Sequence, residues 1–183
     1  PPRSTLFPYT TLFRSGKLVS SIPNDVIDIW RNDPANLDPV KRALRWVWNN
    51  PECTLLISGM STMEHVLQNT QEASVATANS LVPSQLRKYQ MARKVYLRKL
   101  PFLCSECRYC MPCPNEVSIP TVLGMFCEAV MFGDKERHQR EYQSFIPEAN
   151  RADKCTGCNI CTEKCPQKIN IPHWMKEISH FYT

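Results

Sequence analysis

The chain has 183 residues, 43% hydrophobic and 21% charged, with a formal net charge of +5, which describes a globular protein with room for one good core or two small ones. No apolar run approaches the roughly 20 residues that a membrane span needs. The positive excess is modest, so a solvated basic face is favoured over a nucleic-acid or membrane partner.

Residues 1–15, PPRSTLFPYTTLFRS, suit neither a strand nor a secretory signal, because Pro8 and the threonines interrupt any ladder or apolar core. The peptide resembles the conceptual translation of a common sequencing-library adapter and is excluded from fold reasoning. That resemblance implies a natural sequence that begins at Gly16, in mid-gene, with something upstream missing.

Beyond Gly16, Asn24 to Trp30 reads as a short helix and NDPANLDP as a proline-marked loop. Asp38 and Pro39 form an N-cap and first position for a helix over 39–49, with Val40, Ala43, Leu44 and Val47 on its core face. Pro51 ends it. Thr54 to Ser58 (TLLIS) reads as a short buried strand, and Ser61 with Glu64 as a capping box opening a helix to about Ala76. Residues 79–85 read as a linker, followed by a helix over 86–100 with Leu86, Tyr89, Ala92, Tyr96 and Leu100 on one side. Arg87, Lys88, Arg93, Lys94, Arg98 and Lys99 on its other faces are read as its wet side, and nucleic-acid binding is disfavoured.

Eight of the ten cysteines lie in two runs, CSECRYCMPCP at 104–114 and CTGCNICTEKCP at 155–166. Such clustering belongs to metal sites in a reducing compartment, here the cytoplasm, more than to a disulfide framework. The second run is C-x2-C-x2-C-x3-C-P, the spacing of bacterial-type iron-sulfur proteins, in which the fourth cysteine ligates the other cluster. Transferred by position, Cys104, Cys107, Cys110 and Cys165 hold one [4Fe-4S] cluster, and Cys155, Cys158, Cys161 and Cys113 the second. The first run has two residues, not three, before its last cysteine. The competing reading is a structural zinc module that binds a partner, since zinc also takes thiolate quartets. Zinc modules usually present two separated C-x2-C pairs, so the consecutive spacing favours iron-sulfur.

Cys53 and Cys127 stand apart and are read as buried thiols, Cys127 on the apolar face of Val122, Leu123, Phe126 and Val130. Helices are expected over 120–132, with Pro120 at the first position, over 134–145, and from Pro172 onward with Trp174, Met175, Ile178 and Phe181 inward. Helical connections argue for a helical two-cluster ferredoxin-like domain. His65, His138, His173 and His180 are assigned to surface or packing.

RALRWVWNNPECTLLISGMSTMEHVLQN, with CRYCMPCPNEVSIP and CTGCNICTEKCPQKINIP, resembles the C-terminal half of aldo/keto reductases that carry an appended ferredoxin-like domain. The resemblance implies a fold that is mostly α, with the last βα unit of a truncated (β/α)8 barrel before the cluster domain. It divides the chain into 1–15 (adapter-derived), 16–80 (barrel remnant), 81–100 (basic linker helix) and 101–183 (4Fe-4S domain). By the same resemblance Gly59, Met60 and Ser61 meet the adenosine phosphate of NADP(H), with His65, Gln68 and Asn69 on the helix beside them. Gln68 stands where that family commonly has Glu. A barrel needs about 250 residues, so the catalytic tetrad is expected in a missing N-terminal half, a partner of this chain beside an unknown redox partner.

Overall fold

The structure is a computed structural model, and it describes residues 19, 21–31 and 33–183. The reading of residues 1–15 lies outside them. The described chain is helical, with no strand among the described residues, and divides into two compact units between Leu97 and Arg98. No helix among the described residues is long and apolar enough to cross a membrane.

In the first unit, α1 (Asn24–Trp30) and α2 (Pro39–Trp48) form as expected. The Asp38 side chain accepts from the Lys41 amide at 3.0 Å and Pro39 follows at N1, so cap and first turn are both set by local sequence. α3 (Met63–Val75) is capped by Thr62, whose hydroxyl accepts from the His65 amide at 3.2 Å. The expected cap at Ser61 is therefore corrected by one residue. Two adjacent hydroxyls compete for that role, and Ser61 Oγ instead lies 3.5 Å from His65 Nδ1. Gln68 Nε2 donates to Asp38 Oδ2, and an ion pair joins Arg45 to the buried Glu72, so two polar links tie α3 to α2.

Residues 54–58 are a correction to the expected strand. The segment is irregular, with Leu55 74% and Ile57 91% exposed. Its β-favouring residues are right for a sheet, but a strand needs a neighbour to satisfy its backbone groups, and the described residues supply none.

α4 spans Pro83–Lys99. Residues 83–85 thus belong to a helix and not to a linker, because proline is readily accommodated at a helix start. Nor is α4 a free connector: Ala92 and Tyr96 are buried, Tyr89 packs on Trp30 and Trp46, and its hydroxyl donates to Arg42 O at 2.8 Å. Lys88 Nζ lies 3.4 Å from Asp33, so this basic side chain is engaged within the unit.

The second unit is built on α5 (Ile119–Phe132), α6 (Lys135–Phe145), the short α7 (Ile160–Glu163) and α8 (Ile171–Tyr182). α5 starts one residue earlier than expected, with Ser118 at the N-cap and Pro120 at the second position. α6 is capped by Asp134, whose side chain accepts from the Arg137 amide. The core joins Val122, Leu123 and Phe126 of α5 to Ile171, Met175 and Ile178 of α8, all nearly solvent-free. Around it Phe102, Trp174, Phe126 and Phe181 make adjacent ring contacts at centroid distances of 4.9 to 5.9 Å.

The second unit repeats itself. CPNEVSIP after the first run and CPQKINIP after the second each lead, through a buried Val117 or Ile169 and a buried Ile119 or Ile171, into α5 or α8 with proline at the same position. Backbone φ is positive at Glu106, Arg108 and Glu116 in the first half and at Gly157, Asn159 and Lys168 in the second. These are matching positions, so both loops turn in the same way. The second half uses glycine and asparagine for the first two, whereas Glu106 and Arg108 carry the left-handed conformation at about 1–2 kcal/mol each.

The Tyr142 hydroxyl accepts from the buried Ala152 amide at 2.8 Å, anchoring the segment that enters the second run. Tyr142→Phe orphans that amide and is expected to lower stability by about 1–3 kcal/mol. Met175→Ala is expected to cost about 2–5 kcal/mol. Urea denaturation checks both, and an unchanged midpoint for Tyr142→Phe would show that the hydroxyl does not carry the amide.

Candidate metal centre

All ten cysteines are free. Four of them, Cys104, Cys107, Cys110 and Cys165, line one recess whose remaining wall includes Pro120, Leu123, Ile169 and Ile171. The repeat explains this convergence. The core packing of α5 on α8 brings the end of the second run beside the start of the first, so Cys165 joins three thiols distant in sequence.

The second run gathers Cys155, Cys158 and Cys161 closely enough that the first two raise the thiol pKa of the third. Cys113 is half-buried against the core and does not line the first recess. The chain just after it is tied to the second run: Asn115 Nδ2 donates to Thr156 Oγ1 at 2.8 Å. Asn150 holds the same loop through bonds from its Nδ2 to Glu116 O and from the Ser118 amide to its own carbonyl. Cys107 and Cys158, at matching positions, are the exposed members of their runs.

Burial pushes the Cys104 thiol up, partly offset by a hydrogen bond from the Glu106 backbone, with Cys107 and Cys165 adding to the rise. Burial, then proximity to Cys104, pushes Cys110 up to about 11. Cys161 is raised chiefly by burial too. Buried thiols held together resist becoming thiolates unless a cation compensates them, and ligation supplies that cation while releasing protons.

Zinc and an iron-sulfur cluster would both take four of these thiols. A Zn²⁺ ion bound to four thiolates at 2.3 Å needs sulfurs about 3.8 Å apart. Among the described residues no three His, Cys, Asp or Glu side chains converge closely enough to hold one ion. The consecutive cysteine spacing, unlike the separated pairs usual for zinc, suits a polynuclear centre whose own sulfides fill the middle.

Cys127 is half-buried, with its Sγ 3.9 Å from Phe102 O, and burial pushes its thiol up to about 12. Cys53 is also half-buried, with Sγ 3.7 Å from Leu55 O. Of the four histidines, His138 is buried, its Nδ1 3.4 Å from Glu141 Oε2, while His65, His173 and His180 are exposed. Of the residues expected at a nucleotide, Gly59, Met60, Ser61 and His65 are exposed on one loop and helix start. Gln68 and Asn69 are engaged internally, Asn69 Nδ2 donating to Ser58 Oγ at 3.1 Å.

Residues 103–171 match the family model of the 4Fe-4S dicluster domain, a span that contains both cysteine runs and the helices between them. The match supports 4Fe-4S cluster binding by this part of the chain. No curated protein and no solved structure gives a match.

The position of Cys165 supplies a test. Cys165→Ala is expected to reduce bound iron and the 4Fe-4S absorption by about half, whereas Cys127→Ala leaves both unchanged. Iron analysis beside the visible spectrum checks this, and equal losses in the two variants would exclude Cys165 as a selective ligand.

Proposed function

We propose that the second unit holds two [4Fe-4S] clusters and carries single electrons for an oxidoreductase of aldo/keto reductase type. The observation that carries the cluster reading is the recess in which Cys104, Cys107 and Cys110 of one run meet Cys165 of the other. In this reading these four thiolates hold one cluster, and Cys155, Cys158 and Cys161 hold the second with Cys113. The clusters would supply reversible one-electron chemistry at a potential set by burial, nearby charge and hydrogen bonds to sulfur.

The chain's own residues do the rest. The apolar wall from Pro120 to Ile171 excludes water from one side of the first site, and the loop with positive φ at Glu106 and Arg108 wraps its outer side. Cys107 and Cys158 lie at the surface, which shortens the distance to an external donor or acceptor at each end.

The first unit is read as the closing βα portion of a barrel. This rests on the resemblance of SGMSTMEHVLQN, and it gives a reason for residues 54–58, whose exposed Leu55 and Ile57 a neighbouring strand and helix layer would cover. Gly59, Met60, Ser61 and His65 would then meet the phosphate of NADP(H) near the start of α3, where backbone amides favour an anion, with Gln68 and Asn69 bracing the loop. The missing barrel half is the proposed partner of this unit, and the cytoplasm its setting.

Anoxic reconstitution with iron and sulfide tests the cluster reading. The expected product is brown, contains about eight iron per chain, and develops a paramagnetic signal on one-electron reduction. A colourless chain that retains zinc would contradict it. Sequencing the source locus upstream of Gly16 tests the barrel reading: an in-frame barrel is expected there, and genomic codons for residues 1–15 would overturn it.

A further inference from the structure

The two halves of the second unit align through their cysteine runs and the helices that follow, and they differ beside the first cysteine of each run. In the first half, Glu106 follows Cys104 by two residues and lays its carboxylate over α5 at Gly124, where a Cβ would come within 3.4 Å of Oε1. In the second half the position of Glu106 is taken by Gly157, and that of Gly124 by Lys176 on α8. A Cβ built at Gly157 meets nothing within 4 Å. What a carboxylate fills beside the first run is open beside the second.

The opening is a recess of about 360 Å³, lined by Cys155, Thr156 and Gly157 together with Lys176, Ser179 and His180. Asp153 also lines it, but its carboxylate is paired with Lys154 Nζ at 2.8 Å. Lys176 and His180 are exposed, and His180 stands where the first half has Glu128. Both changes on α8, Gly to Lys and Glu to His, shift the charge from negative towards positive. The second half has thus lost an internal carboxylate and acquired groups that attract an external one.

We propose that this recess receives a carboxylate side chain from an acidic partner protein, which it seats beside Cys155 for electron exchange with the second cluster. The inference rests on the cluster reading above. The partner's Asp or Glu takes the place that Glu106 takes in the first half, with Lys176 supplying the charge and the hydroxyls of Thr156 and Ser179 available as donors. Gly157 keeps the floor clear. The first half, its equivalent space already filled, offers no such seat.

The probe is a glutamate-rich decapeptide, compared with its glutamine counterpart by calorimetry on the cluster-loaded full chain at low ionic strength. The acidic peptide is expected to bind and to be released by salt, and carbodiimide coupling is expected to join it to Lys176. Lys176→Gln is expected to weaken binding on the order of threefold to tenfold. Gly157→Glu, which restores the first half's own carboxylate, is expected to weaken it at least as much, and Lys164→Gln, outside the recess, to leave it unchanged. Equal binding of the two peptides, or wild-type binding by Lys176→Gln, would overturn the proposal. Iron content and visible absorption of each sample keep the two readings apart. A colourless chain overturns the cluster reading, while a brown chain indifferent to peptide charge overturns the recess alone.

Discussion

The second unit depends on the packing of α5 against α8. Apart from the single turn of α7, the cysteine runs are irregular, so their relation is set by what lies beneath them. Leu123 and Phe126 meet Met175 and Ile178 in a core with almost no solvent exposure. Because interiors of this kind are close-packed and deform little, they position Cys165 beside Cys104, Cys107 and Cys110. Hydrogen bonds at the surface then join the two halves, through Asn115 to Thr156 and Asn150 to Glu116.

The internal repeat makes differences between its halves informative. Both loops adopt the left-handed backbone at matching positions, so each turns the chain in the same way. One half does so with Gly157 and Asn159, which tolerate positive φ, and the other with Glu106 and Arg108, which do not. An unfavourable residue kept in a repeated turn invites a reason, and Glu106 has one in its contact over Gly124. The same comparison exposes the charged recess around Lys176.

Much of the helical framework was legible because its signals are local. Asp38 with Pro39, Asp134, and the prolines of α5 and α8 mark helix starts through short-range geometry, and the apolar positions of α8 predict its buried side. The cysteine spacing likewise identified a cluster domain, since thiolates three residues apart answer to a compact polynuclear centre. What failed was non-local. Thr54 to Ser58 has strand-forming residues, but pairing depends on neighbours that the segment itself cannot specify. The choice between Ser61 and Thr62 turned on the register of α3, and Pro83 entered a helix read as starting at Leu86. The recess beside Cys155 was missed because it is a gap left by Gly157, visible in sequence only when the two runs are aligned.

The first unit has a different character, with polar links between α2 and α3, an aromatic group around Tyr89, and an exposed apolar segment at Leu55 and Ile57. In the second unit, the two proposed clusters are held by thiols that cross between the runs. Native mass spectrometry of the anoxically loaded chain tests that claim most directly. The account predicts a holo mass exceeding the apo mass by two four-iron, four-sulfide units. A chain that stops at one unit, or carries only single zinc ions, would contradict it.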